Sequence, residues 1–167
     1  MKKLTADFFE RDVLAVAPDM IGKLLVRQFD DGTVERFRIV EVEAYRGPED
    51  LACHASKGRT KRTEVMFHKG AKLYVYLIYG MYQMLNVVTG KEDEPQAVLI
   101  RGVEGISGPG RLTKRILIDS TFNAENVPSQ RLWFEDDGCT IPYKTTPRIG
   151  IDYAGEWKHK LWRFVAE

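Results

Sequence analysis

The chain has 167 residues, of which 44% are hydrophobic and 29% charged, so we expect one folded domain over residues 1–167 rather than a disordered chain. The net charge of +1 excludes a general polycation, and no apolar run is long enough to span a bilayer. Two cysteines, Cys53 and Cys139, are too few for a disulfide framework, and the lysine-rich start lacks the apolar stretch of a secretory signal. These features predict a cytoplasmic protein with no membrane partner.

The first third of the chain predicts a helix followed by a hairpin. Asp12 is a suitable N-cap for a helix over residues 13–21, which Gly22 would end. Residues 23–29 and 34–45 are typical of two strands, and the turn at residues 30–32 would join them. Regular alternation would place four side chains on one face of the second strand: Phe37, Ile39, Glu41 and Glu43.

The rest of the chain predicts more strands and one helix. Strands are expected at residues 72–79, 83–89, 96–103, 131–134, 148–151 and 161–165, with a bend at Gly80 and a helix at residues 111–118. Together these elements predict the α+β class, as a single domain with a curved, mostly antiparallel β-sheet core and peripheral helices.

Charge is segregated along the chain. Residues 55–72 hold six basic residues and one acid, a net +5, whereas residues 92–94 and 135–137 are acidic. One interpretation is solvated loops, since charge runs are usually exposed. The other is a phosphate-facing surface from which the acidic turns point away, with Lys57, Arg59 and Arg62 on the phosphates of a nucleic-acid backbone. Gly108 and Arg111, before the predicted helix, would form either a phosphate cradle or an ordinary loop.

Glu41, Glu43 and His54 permit three interpretations. They are ordinary acids at a strand edge, or metal ligands, or Glu43 is a single general base that activates water without a metal. The metal interpretation is weak because His68 and His159 show no ligand spacing. A carboxylate at a strand end beside apolar side chains is partly desolvated, which makes it a better base.

Aromatic and polar side chains in the predicted strands also permit alternatives. Four tyrosines lie within nine residues: Tyr74, Tyr76, Tyr79 and Tyr82. They pack in the core or stack on nucleic-acid bases, and one beside Gly80 could wedge into a duplex. Asn86 and Arg101 lie in apolar strands, where each needs either a buried partner or a ligand.

Several segments together resemble the alkyladenine (3-methyladenine) DNA glycosylase family. They are IVEVEAYRGPED at residues 39–50 with His54, MF at 66–67, LYVYLIYGMY at 73–82 with Asn86, VLIR at 98–101, SGP at 107–109, and AGEW at 154–157 continuing to Phe164. The resemblance runs from about residue 14 to residue 164. It implies the fold of that family and the excision of damaged bases, which enzymes reach by flipping the nucleotide out of the duplex.

The resemblance also implies roles for single residues. Glu43 would deprotonate the water that attacks C1′ of the sugar, and Arg101 would help to place that water and the flipped nucleotide. The base pocket would be lined by Tyr45, His54 and Tyr76, with Asn86 excluding normal guanine. Tyr79 would fill the gap left in the duplex. Because no lysine stands where an amine nucleophile would be expected, direct attack by water is favoured over a Schiff base.

The sequence thus predicts a metal-free and cofactor-free DNA repair glycosylase that acts as a nucleoid-associated monomer on double-stranded DNA. Its substrates would be damaged purines of the 3-methyladenine, 7-methylguanine, hypoxanthine and ethenoadenine class, and its product an abasic site. One alternative is a non-catalytic binder of distorted nucleic acid. Another is a hydrolase of small N-ribosides.

Overall fold

A computed structural model describes residues 1–167. The strands are β1 (Lys2–Lys3), β2 (Leu24–Gln28), β3 (Val34–Arg46), β4 (Leu73–Ile78), β5 (Tyr82–Val88), β6 (Gln96–Val103), β7 (Ile106–Ser107), β8 (Leu132–Asp136), β9 (Tyr143–Thr146) and β10 (Arg163–Ala166). The α-helices are α1 (Ala6–Phe9), α2 (Val13–Met20) and α3 (Pro109–Arg115). Short 3₁₀ helices cover His54–Lys57, Glu64–Phe67, Ser120–Phe122 and Asp152–His159.

All ten strands belong to one antiparallel sheet. Its main path runs β1-β8-β2-β3-β6-β5-β4, while β10 pairs with the second half of β3 and with β9, and β7 pairs with β6. The helices lie at the periphery, and none is long and apolar enough to cross a membrane. The predicted α+β class with a mostly antiparallel sheet is confirmed.

Helix α2 follows its sequence signals closely. The Asp12 carboxylate accepts a hydrogen bond from the Leu14 amide, and the helix ends just before Gly22, which adopts a φ of +92°. Its buried side chains join the main core against β3 and β6. A smaller apolar cluster lies on the opposite face of β4, β5 and β6, because its members there alternate with main-core residues. It comprises Cys53, Ala55, Val65, Met66, Tyr74, Val88 and Ala97.

The alternation predicted for β3 is wrong at Ile39. This side chain is fully buried in the main core together with Val42 and Ala44, so it faces away from Glu43. The cause is a pair of register shifts in the β3–β6 ladder, one on each side of Glu41. An irregularity of this kind changes which alternate residues face the core. The predicted β2–β3 hairpin itself is confirmed.

The strand predicted at residues 148–151 is also wrong. Arg148 is buried in a side-chain ion pair, Gly150 has a φ of +75°, and a 3₁₀ helix follows from Asp152. Strand β9 lies earlier, at Tyr143–Thr146, where it pairs with β10. Helix α3 starts at Pro109 rather than at residue 111, because a proline in the first helical turn leaves no donor unpaired.

Candidate active site

A cavity of about 510 Å³ opens where the end of β3, the β4–β5 hairpin and the segment at residues 149–153 meet. Seven of the predicted site residues line it: Tyr45, His54, Tyr76, Tyr79, Arg101, Gly108 and Arg111. Five do not: Glu43, Lys57, Arg59, Arg62 and Asn86. The sequence therefore predicted part of the wall of one concave site.

Glu43 lies directly behind the wall of this cavity. It is fully buried, and its Oε1 accepts a hydrogen bond of 2.7 Å from the Tyr45 hydroxyl. Its Oε2 accepts one of 2.7 Å from the Ile149 amide, and Nη1 of Arg101 lies 3.7 Å from Oε1. Burial and the neighbouring Glu43 carboxylate raise the pKa of Tyr45 well above its ordinary value, so this phenol remains a donor.

Glu41 is held by two arginines. Its Oε2 accepts hydrogen bonds from Nε of Arg101 at 3.1 Å and from Nε of Arg163 at 2.7 Å. Arg101 thereby bridges Glu41 and Glu43 along one face of β3. No group of three or more histidine, cysteine, aspartate and glutamate side chains is placed to hold a metal ion. That the site works without a metal stays a prediction.

His54 belongs to an uncharged aromatic cluster. Its Nδ1 lies 2.8 Å from the Tyr74 hydroxyl, and its ring packs edge-on against Tyr76 with centroids 4.5 Å apart. Burial, and to a smaller extent the charges of Arg62 and Lys57, lower the pKa of His54 to about 4. Burial raises the pKa of Tyr74 to about 12 and raises that of Tyr76 as well. At neutral pH the cluster carries no charge.

Asn86 is buried and partnered. Its Nδ2 donates a hydrogen bond of 3.1 Å to the Tyr74 carbonyl oxygen, which leaves Oδ1 without a protein donor. The side chain lines a recess of about 20 Å³ beside the main cavity, and the recess shares Tyr45, His54 and Tyr76 with that cavity. Asn86 therefore lies at the floor of the site rather than in its open part.

The tip of the β4–β5 hairpin presents an exposed aromatic ring. Tyr79 is 83% exposed and has a φ of +54°, a conformation that costs a bulky residue free energy. Gly80 beside it has a φ of +68°. Next to the hairpin tip, a Cβ on Gly110 of α3 would come within 2.7 Å of Cδ1 of Tyr82, so the two elements pack closely.

The basic loop differs from the prediction in one respect. Arg59 is bound on both sides, by Glu64 at 2.7 Å and by Asp93 of the acidic turn at 2.6 Å, so this turn contacts the basic loop rather than pointing away from it. Arg62 lies over the Tyr76 ring at 5.6 Å, and neither Arg62 nor Lys57 forms an ion pair with an acid. The basic residues of the loop that have no acidic partner are thus Lys57, Lys61, Arg62 and Lys72.

Sequence reasoning missed the segment that closes the far wall of the cavity. Ile149 and Tyr153 line it, and Tyr153 is 70% exposed although it lies beside the aromatic cluster. The branched residues at 149 and 151 suggested a strand and masked this role. The buried partners Asp50 and Arg148 were missed as well, since nothing local links two residues 98 positions apart.

With this geometry in hand, comparison with protein-family models gives a specific match. The model described as Methylpurine-DNA glycosylase (MPG) matches residues 7–108 and 104–167. The chain therefore belongs to the methylpurine-DNA glycosylase family, and it is an enzyme of the DNA glycosylase class. The resemblance found in its motifs is confirmed.

Curated relatives match over nearly the whole chain. A protein of Legionella pneumophila (strain Corby) is 48% identical over 98% of this chain and 94% of its own length. One of Methanocella arvoryzae is 45% identical over 98% of this chain and 92% of its own, and one of Psychrobacter cryohalolentis is 43% identical over 95% and 89%. Each carries the name "Putative 3-methyladenine DNA glycosylase".

Proposed function

We propose that this protein flips damaged purines out of double-stranded DNA and hydrolyses their N-glycosidic bond by direct attack of water, leaving an abasic site. The observation that carries the proposal is the buried Glu43 carboxylate, which contacts Tyr45, Ile149 and Arg101 directly behind an aromatic cavity. The names of the relatives support 3-methyladenine as one substrate.

The cavity suits an electron-poor base. Alkylated purines such as 3-methyladenine and 7-methylguanine are cationic, and tyrosine faces attract cations. Tyr45 and Tyr76 line the cavity, and the neutral His54 adds no competing charge. Because no protein group pairs with Nε2 of His54, this atom is free to hydrogen-bond to a base edge, including that of uncharged hypoxanthine or ethenoadenine.

The proposed reaction needs one proton acceptor. A water oxygen bonds to C1′ of the sugar as the bond from C1′ to the purine nitrogen breaks, and the electron pair of that bond leaves with the base. The proton of the water passes to Glu43. A carboxylate offers about four acceptor sites, so the two hydrogen bonds that Glu43 accepts leave lone pairs free to accept from a water. In this proposal Arg101, whose Nη1 lies 3.7 Å from Oε1 of Glu43, orients that water beside the carboxylate.

Flipping needs a group that occupies the gap in the duplex. Tyr79 is suited to this task because it is exposed at a hairpin tip beside the cavity. Its positive φ costs free energy, as is common at functional positions. Lys57 and Arg62, which lack acidic partners, are suited to phosphate contacts near the same opening. Gly108 and Arg111 line the cavity on its other side.

Duplex oligonucleotides that carry hypoxanthine or ethenoadenine, together with methylated DNA, test the proposal. After incubation and heating in alkali, the wild type is expected to cleave the strand at the lesion. Glu43→Gln is expected to bind the duplex but to release the base about 10²- to 10⁴-fold more slowly. Glu135→Gln is the matched control, because Glu135 is also a buried glutamate bonded to an arginine, but on β8 away from the cavity.

Each other outcome contradicts the proposal in a defined way. Binding by the wild type without base release on any of these substrates identifies a non-catalytic binder of distorted DNA. Release from free nucleosides but not from duplex identifies a hydrolase of small N-ribosides. Equal rates of base release for Glu43→Gln and Glu135→Gln would show that Glu43 does not act in the reaction.

A further inference from the structure

Arg148 and Asp50 form a buried ion pair that the proposed chemistry does not use. Both side chains are fully buried, and their contact is bidentate, with Nη1 to Oδ2 at 2.6 Å and Nη2 to Oδ1 at 2.9 Å. Nη1 also donates to the Ala44 carbonyl at 3.0 Å, and Nη2 to the Trp157 carbonyl at 3.2 Å. One guanidinium thus joins β3 to the last 3₁₀ helix.

The Asp50 carboxylate ties two further parts of the site together. Its Oδ2 accepts a hydrogen bond from the Arg46 amide at 3.1 Å, at the end of β3, and its Oδ1 accepts one from the Ala52 amide at 3.0 Å. The Asp50 carbonyl also accepts from the Cys53 amide at 2.9 Å, directly before His54. The path from Tyr45 to His54 is therefore fixed around this carboxylate.

Arg148 packs against Tyr45 of the cavity wall and against Trp162. Its guanidinium carbon lies 4.9 Å from the centre of the Tyr45 ring and 5.0 Å from that of Trp162. The next residue along the chain, Ile149, donates its amide to Glu43. A change in the position of Arg148 therefore moves both groups that donate to Glu43. One is the Tyr45 hydroxyl, which binds Oε1, and the other is the Ile149 amide, which binds Oε2.

Stability alone does not account for this pair. A buried ion pair is often no more stabilising than well-packed apolar residues of similar volume, because both charges lose their hydration. This one also leaves Nε of Arg148 buried without a partner, which is a further cost. A role in holding a geometry would offset this cost, and the geometry that the pair holds here is that of Glu43.

We infer that Arg148, held by Asp50, is a positioning residue of the glycosylase reaction: it presents the Ile149 amide to Glu43 and fixes the Tyr45 ring. This inference rests on the proposed function and adds two residues to it. Neither residue touches the substrate. Their loss impairs the chemical step, because small misplacements of reacting groups cost about 10²-fold in rate, while lesion binding through the other walls of the cavity persists.

Arg148→Met and Arg27→Met form a matched pair of variants for the test. Arg27 is also a buried arginine that donates to carbonyl oxygens and packs on aromatic rings, but its partners are Ile116 and Phe122, away from the cavity. Both variants are expected to melt at a lower temperature than the wild type. Under single-turnover conditions on a lesion duplex, only Arg148→Met is expected to lose rate, by about 10- to 100-fold, with its Kd little changed.

Two conservative variants complete the design. Arg148→Lys keeps the charge but not the planar fork, so its rate is expected to lie between those of the wild type and Arg148→Met. Asp50→Asn is expected to match Arg148→Met, and the double variant to be no slower than either, because the two residues act as one unit. These variants also carry the test if Arg148→Met does not fold.

Equal single-turnover rates for Arg148→Met and Arg27→Met, measured where both are folded, overturn the inference. So does a loss of lesion binding that accounts for the whole loss of activity. A wild type that releases no base refutes the proposed function first, whereas an active wild type with an unaffected Arg148→Met refutes only the positioning role.

Discussion

The uncharged state of His54 predicts a specific dependence of stability on pH. In the folded protein its pKa is about 4, against an ordinary value of 6.5. Above pH 6.5 the imidazole is neutral in both the folded protein and the unfolded chain, so its contribution to the free energy of unfolding is fully present. As the pH falls from 6.5 toward 4, the unfolded chain takes up a proton that the folded protein does not, and folding becomes less favourable.

The size of this effect follows from the two pKa values. Each unit of difference corresponds to about 1.36 kcal/mol, so the interval from 6.5 to about 4 gives about 3 kcal/mol as the maximum. Solvent reaches part of the ring, which reduces the expected loss to about 2–3 kcal/mol. Below pH 4 the contribution of His54 stays constant.

The measurement is urea unfolding of the wild type and His54→Gln between pH 8 and pH 4. The difference in the free energy of unfolding between the two proteins isolates His54 from the other titrating groups. Between pH 8 and pH 4 this difference should change by about 2–3 kcal/mol, because the wild type loses more stability at acid pH than the variant does. His159→Gln, at an exposed position, controls for the loss of one histidine. A difference that stays constant with pH would show that His54 is not desolvated.

Three further predictions concern the opening of the cavity. Tyr79→Ala should leave the free energy of unfolding within about 0.5 kcal/mol, because the ring is exposed, yet abolish flipping as reported by 2-aminopurine fluorescence. Loss of Lys57 and Arg62 together should reduce the slope of log Kobs against log salt by about 2 in binding titrations. Gly110→Ala should destabilise the protein by about 1–3 kcal/mol in urea, because its Cβ would meet the Tyr82 ring at 2.7 Å.

Each of these has a result that contradicts it. Normal fluorescence changes with Tyr79→Ala would remove the wedge role. Arg59→Ala is the control for the salt titration, since Arg59 is already bound by Glu64 and Asp93 and should change the slope less. Full stability of Gly110→Ala would mean that the Tyr82 ring moves aside without cost.

Local features of the fold were predictable because their causes are local. The Asp12 cap and Gly22 set the bounds of α2, and the turn at residues 30–32 sets the β2–β3 hairpin. Strand β6 has the bounds that its apolar run indicates. For the site, seven of the predicted residues line one cavity. Most of them could be named from the sequence because the motifs that carry the resemblance extend over most of the chain.

The errors share another physical origin, which is pairing between distant segments. The face of Ile39 depends on register shifts against β6, which the sequence of β3 does not contain. Arg148 leaves the predicted strand because Asp50, far away in sequence, holds its side chain. Arg59 forms an ion pair with Asp93 on another loop, so its charge is not available on the basic surface. In each case a tertiary contact outweighs the local pattern.

The register shifts around Glu41 also determine how sequence changes spread along β3. Before the shifts β3 pairs with β2, whereas from Glu41 onward it pairs with β10, and Val42 and Ala44 keep this second half packed on the main core. A residue inserted or lost at the shifts would exchange the core-facing and site-facing side chains of the second half. The position of Glu43 is therefore set by the length of the strand around Glu41 as much as by the identity of residue 43.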